Sequence, residues 1–220
     1  MWRAVVSCLP CRVRGPRATE GTKPVNMKLA AALSGGAVLA LALTGCTSDE
    51  GNPELDAWAK KICDTAPAQN AKIAAADAAI TKAAKDSPPK ELQKVDAQAF
   101  QDLAEGFKAR ATLLQQAGPP PGVEDGAKKQ QDAIKKLTAV STSYAELKKQ
   151  TDELNTKDQA KFASGLRKVG EEMRDVVAQR KSALDALKKL ESGGDTKNAL
   201  LKQEGCKEAA AAASAEASRS

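Results

Sequence analysis

The chain has 220 residues, a formal net charge of +6 at pH 7, no histidine and an aromatic content of only 3%. Residues 1–45 contain six basic residues and one acidic residue, so they supply +5 of that charge. Residues 46–220 contain 28 basic residues, 27 acidic residues and five scattered aromatic residues. The charges of residues 46–220 nearly cancel and their aromatic residues are scattered, so the chain has neither a strongly basic surface nor a set of rings on which bases could stack. We therefore predict no nucleic-acid partner.

A short motif closes the apolar stretch near the N-terminus, and it resembles a bacterial lipobox: Leu43, Thr44, Gly45, Cys46. In that family of export signals, diacylglycerol is attached to the cysteine sulfur and the chain is cut just before it. The resemblance implies lipidation of Cys46 and a place on the outer face of the cytoplasmic membrane. It names no activity.

The segment before Cys46 has the physical features of an export signal. Lys28 places one positive charge ahead of a 16-residue apolar run, 29–44. That run is too short, and with two adjacent glycines too weak, for a permanent membrane helix. We therefore expect a signal peptide over 27–45.

Residues 1–26 precede a second methionine that is well placed to begin this signal. We expect translation to start at Met27, with 1–26 a mis-annotated or disordered extension; a long basic n-region is the alternative. Cys8 and Cys11 have the spacing of redox and zinc sites. A lone pair in a chain without histidine indicates two incidental cysteines.

Residues 46–220 are rich in good helix formers, and clusters of proline and glycine divide them into four long segments. Apolar residues recur at helical spacing in each segment. The stripe of the fourth alternates strictly between spacings of four and three: Phe162, Leu166, Val169, Met173, Val176, Arg180, Ala183, Leu187, Leu190. Matched lengths and short connections predict an all-α fold, an antiparallel up-and-down bundle of about four long helices with a short C-terminal helical tail.

The expected boundaries follow from these breaks. Residues 46–52 form a tether, 53–207 the bundle, and the Ala-rich stretch 208–220 a disordered or frayed tail. Asn52 and Ser87, each followed by proline, are expected N-caps. Pro67 either kinks the first helix or splits it in two.

Two cysteines remain after the signal and Cys46. An even number of alternating helices returns the chain to the end where it began, so Cys63, early in the first helix, and Cys206, past the fourth, should be neighbours. We predict a disulfide between them in an oxidising compartment, with two free thiols as the alternative.

Residues 27 to about 207 also resemble the small secreted lipoproteins of actinobacteria. Four features carry the resemblance: the lipobox, the run Trp58–Asp64, the Pro-Pro-Gly-Val turn at 120–123, and the lone Cys206. The Ala-rich, His-free composition is similar. The family has no known activity, so the resemblance implies no catalytic residues.

The sequence excludes several kinds of catalytic and metal site. Without histidine the chain has no Ser-His or Cys-His pair, no histidine metal site and no di-iron site of the bundle type. Ser87 and Lys90 match a Ser-x-x-Lys pattern, but no companion motif is present. We predict no catalytic, metal or cofactor site. The acidic pairs 124–125 and 171–172 are expected to be solvated, and Arg180 to snorkel to the bundle end or to mark a partner contact.

The favoured function is a non-enzymatic, membrane-anchored lipoprotein that binds a partner protein of the envelope, another envelope component or a small ligand. The alternative is a solute-binding or sensor lipoprotein that serves a transporter or a signalling system. The two-lobed α/β architecture usual for that class is not visible in the sequence. The sequence leaves the oligomeric state open.

Overall fold

The computed structural model describes residues 51–217, without the side chains of 85, 86, 213, 216 and 217. This part of the chain is all-α, as predicted. It contains six helices: α1 (Pro53–Asp86), α2 (Pro89–Ala117), α3 (Gly126–Asp152), α4 (Gln159–Glu191), α5 (Gly194–Lys202) and α6 (Glu204–Ala217). Cys46 and the rest of the lipobox lie outside the described residues.

The start of α1 follows from its first residues. The Asn52 side chain accepts a hydrogen bond from the Leu55 backbone N–H, and Pro53 occupies the first turn, where a proline loses no helical hydrogen bond. The prediction for Asn52 is therefore confirmed. Pro67 lies inside α1 without dividing it, so a single helix covers the first segment.

The prediction that Ser87 caps α2 is wrong. Ser87 is the C-cap of α1, and α2 begins at Pro89 after an extended Pro88. A residue that precedes proline is driven out of the helical region by the proline ring. Two successive prolines apply this restriction to both Ser87 and Pro88, which delays the helix start.

The apolar stripes form the core. The largest fully buried side chains include Leu55, Leu103, Phe107, Leu137, Tyr144 and Leu190. In the fourth stripe, Phe162, Val169, Val176, Ala183 and Leu190 are buried. Ala127, which helical spacing in the third segment places with Ile134 and Leu137, is exposed, whereas its neighbour Gly126 is buried.

Side-chain hydrogen bonds join each long helix to the next. Trp58 and Lys72 of α1 bond to Gly118 and Glu105 at the end and middle of α2. Across the next two pairs, Ser141 of α3 donates to the Ala104 carbonyl of α2, and the Ser143 hydroxyl donates to Gln179 of α4. In the described part, α1 packs on α2, α5 and α6, but α4 does not pack closely along it.

Helical structure extends further toward the C-terminus than the sequence predicts. After α4 the chain forms α5 and then α6, both of which pack on α1. Helix α6 continues through Ala217 and buries Ala209, within the stretch expected to be frayed or disordered.

Candidate functional site

A cluster of polar and aromatic side chains crosses the middle of the long helices. Arg180 of α4 donates two hydrogen bonds to the carboxylate of Asp77 on α1, at 2.8 and 2.7 Å. It also donates to the Tyr144 hydroxyl of α3, at 3.4 Å. Such a forked pair between a guanidinium and a carboxylate fixes both charge and orientation. Arg180 is thus held midway along the long helices by Asp77, and the expectation that it snorkels to one end is wrong.

Phe107 of α2 forms the centre of the cluster. Its ring stacks on Tyr144 with centroids 5.7 Å apart and planes inclined by 12°. The guanidinium carbon of Arg180 lies 5.4 Å from the Phe107 ring centroid, and that of Arg110 lies 5.8 Å from it. Both arginines therefore sit within the range of cation–π attraction to a single ring.

Arg110 differs from Arg180 in its polar partner. Its guanidinium donates to the side-chain oxygen of Asn70, a neutral amide on α1. Among the side chains that the structure describes, no carboxylate forms a salt bridge with Arg110. Burial lowers the pKa of Arg110, the charge of Arg180 lowers it further, and the charge of Glu191 acts in the opposite direction.

The pKa directions agree with this geometry. The hydrogen bonds that Arg180 donates to Asp77 raise the pKa of Arg180, which outweighs the opposing effect of burial. Burial raises the pKa of Tyr144, although its hydrogen bond with Arg180 acts against that rise. The cluster therefore combines two guanidiniums and a phenol hydroxyl with the side chain of Asp77.

The two cysteines that the sequence pairs are joined. The Sγ atoms of Cys63 and Cys206 are 2.02 Å apart and their Cα atoms 4.8 Å apart, which forms a disulfide between α1 and α6. Further contacts tie the same segments: Lys202 forms a salt bridge with Asp56 at 3.0 Å. Gly205 lies so close to the Cys63 carbonyl that any Cβ at that position would collide with it.

The loop between α2 and α3 belongs to this same end of the molecule. The Asn52 amide donates to the Pro121 carbonyl at 3.1 Å, and the Trp58 indole donates to the Gly118 carbonyl at 2.8 Å. Gln130 donates to the Leu114 and Gly118 carbonyls. The start of α1, the triple-proline loop and the disulfide therefore lie together.

The residues weighed for catalysis are not brought together. Ser87 ends α1, and both acidic pairs, 124–125 and 171–172, are exposed. Among residues 51–217 no group of three potential metal ligands occurs. Asn70 and Asp77 on α1 and Arg110 on α2 share no local motif, so the sequence did not single them out. Nor did it single out Asp96, a buried carboxyl whose Oδ1 has no hydrogen-bond partner in the described part of the chain.

No protein-family model, no curated protein and no solved structure matches this chain. None of the helices within the described range is long and apolar enough to cross a membrane.

Proposed function

We propose that this chain is a lipid-anchored lipoprotein on the outer face of the cytoplasmic membrane, held there through Cys46, and that it acts by binding rather than by catalysis. The lipobox at 43–46 is the observation that carries the proposal. The disulfide between Cys63 and Cys206 favours the same location, because such bonds persist outside the reducing cytosol.

The proposed architecture is an antiparallel up-and-down bundle of the four long helices, α1 to α4, with α5 and α6 as a strap on α1. Two contacts between each pair of consecutive helices run in opposite chain order and support it: Trp58 with Gly118 and Lys72 with Glu105, Gln93 with Thr151 and Ser141 with Ala104, Ser143 with Gln179 and Gln150 with Glu172. In such a bundle a binding surface is available along the helices or at either end, and the missing histidine argues against common hydrolytic chemistry.

Lipidation is tested by labelling cells with an alkyne fatty acid. The wild-type protein is expected to carry the label, and Cys46→Ala is expected to lose it and either to stay unprocessed or to leave the membrane fraction. Ser48→Ala, in the tether that the processed protein keeps, is the matched control and should label as the wild type does. Equal labelling of Cys46→Ala would refute the anchor.

The anchor also implies an orientation. The tether 47–52 has six residues, which span at most about 20 Å when fully extended. Because Asn52 bonds to the triple-proline loop, we place that loop and the disulfide toward the membrane. The loops near 87–89 and 155–157 would then point outward.

A protease site inserted at Asn155 should be cut on intact, wall-stripped cells much faster than one inserted at Gly122. After solubilisation in detergent, both sites should be cut at similar rates, which controls for local accessibility. Faster cutting at Gly122 on intact cells would show that the bundle is inverted or lies flat.

A further inference from the structure

The charges of the central cluster are incompletely paired. Asp77 already binds Arg180 in a forked pair, which leaves Arg110 with the neutral Asn70 as its polar partner. A half-buried cation without a carboxylate at hydrogen-bond distance is costly, and an anion that reaches it recovers part of that cost. The planar fork of arginine suits a carboxylate or a phosphate group.

The same cluster joins two long helices that make few close contacts with each other. Among the described residues, α4 does not pack closely along α1, the forked pair between Arg180 and Asp77 bridges the gap between them, and α5 contacts both helices. Arg110 belongs to the same cluster, since it bonds to Asn70 on α1 and shares the Phe107 ring with Arg180.

An apolar strip on α4 runs beside this charge. Val177 and Leu184 are large apolar residues that remain exposed, at 55% and 40%. They lie three residues before and four residues after Arg180, so all three share one face of the helix. Met173, one further turn toward the start of α4, is partly buried against the core.

We propose that the gap between α1 and α4 binds an amphiphilic anion, with its carboxylate or phosphate head on Arg110 beside Arg180 and its apolar tail along Met173, Val177 and Leu184. Charge complementarity selects the head, and the exposed apolar strip selects the tail. The inference gives a ligand class to the binding role proposed above and does not depend on acylation of Cys46.

The test is isothermal titration calorimetry of the purified protein with four probes below their micelle concentrations: laurate, dodecyl phosphate, dodecanol and acetate. Laurate or dodecyl phosphate should bind, and whichever binds tighter identifies the head group. Dodecanol, which lacks the charge, and acetate, which lacks the tail, should each bind about tenfold more weakly or worse. Failure of both anionic amphiphiles to bind, or equal binding of dodecanol, would overturn the proposal.

Substitutions test whether Arg110 and the apolar strip on α4 form the binding site. Arg110→Gln should weaken binding of the better amphiphile by about tenfold or more, because it removes the forked cation. Val177→Ser with Leu184→Ser should weaken the amphiphile and leave acetate unchanged. Arg174→Gln, an exposed arginine on α4, is the matched control and should bind as the wild type does. Unchanged binding by Arg110→Gln, or an equal loss in the control, would place the ligand elsewhere.

Two further measurements separate binding from folding and from anchoring. The Arg110 side-chain Nε–H resonance of the wild-type protein should shift on titration, a readout that needs no substitution. Its absence during binding would contradict the site. Cys46→Ala protein should bind the amphiphile with wild-type affinity, so a failure of lipidation and a failure of ligand binding are observed separately.

Discussion

The two ends of the long helices are held in different ways. At the end that contains Asn52, the start of α1 bonds to the triple-proline loop and a disulfide joins α1 to α6. At the other end, a single amide, that of Gln93, donates to the carbonyls of Thr151, Asp152 and Leu154. In the described part of the chain, a covalent bond and several independent hydrogen bonds join the segments at one end, whereas at the other the hydrogen bonds between α2 and the end of α3 come from one side chain.

A buried carboxyl adds to this difference. Asp96 lies one helical turn after Gln93 and is only 6% exposed, and its Oδ1 has no hydrogen-bond partner in the described part of the chain. Removing a carboxylate from water without a partner is unfavourable. The stability of the two ends should therefore respond to different conditions: the first to reduction, the second to pH.

The largest expected effect is the loss of the disulfide. Its cysteines are 143 residues apart, and closing so long a loop contributes about 4 to 5 kcal/mol in the chain-entropy model. Cys63→Ala with Cys206→Ala should lower the free energy of unfolding in urea by an amount of that order. Hydrogen exchange should show the greatest loss of protection in α5 and α6.

Reduction of the wild-type protein serves as the matched control, because it opens the same bond without a change of sequence. Both samples should lose similar stability. A loss below about 1 kcal/mol in both would mean that noncovalent contacts such as Lys202 with Asp56 hold the strap without the bond.

The sequence predicted this end better than the cluster in the middle. Periodic apolar residues and helix parity require only local spacing and chain direction, and both the core stripes and the pairing of Cys63 with Cys206 are confirmed. The partner of Arg180 lies 103 residues away, and no periodicity marks Asp77 among its alanine neighbours. The break between α5 and α6 falls at Gln203, a residue that carries no turn signal.

The second effect concerns Asp96 and the opposite end. Burial raises the pKa of Asp96 from 3.8 to about 6, so the folded state keeps the proton at a pH where the unfolded chain has lost it. Stability from this group is therefore complete below pH 3.8 and is lost as pH rises through about 6. The loss should be about 3 kcal/mol at most.

Asp96→Leu should remove this pH dependence and unfold at a higher urea concentration than the wild type at pH 7.5. Urea midpoints measured between pH 4 and pH 7.5 test this, with Asp175→Asn on the exposed face of α4 as the control. Because other carboxyl groups titrate over the same range, the difference between wild type and variant is the quantity to compare. Equal pH profiles would show that Asp96 is solvated or paired in solution.

The smallest of the three effects returns to the covalently joined end. Pro67 has no N–H to donate to the carbonyl of Cys63, four residues earlier in α1, and Gly205 lies directly against that carbonyl. A methyl group at Gly205 would force α6 away from α1, and such overpacking costs about 1 to 3 kcal/mol. Gly205→Ala should therefore lower the free energy of unfolding and raise the hydrogen exchange of α6 while the disulfide stays intact.

Gly194→Ala, at a helical glycine with open space around it, is the control and should change stability little. Wild-type stability in Gly205→Ala would mean that α6 docks on α1 through the disulfide alone, without close contact between the two backbones.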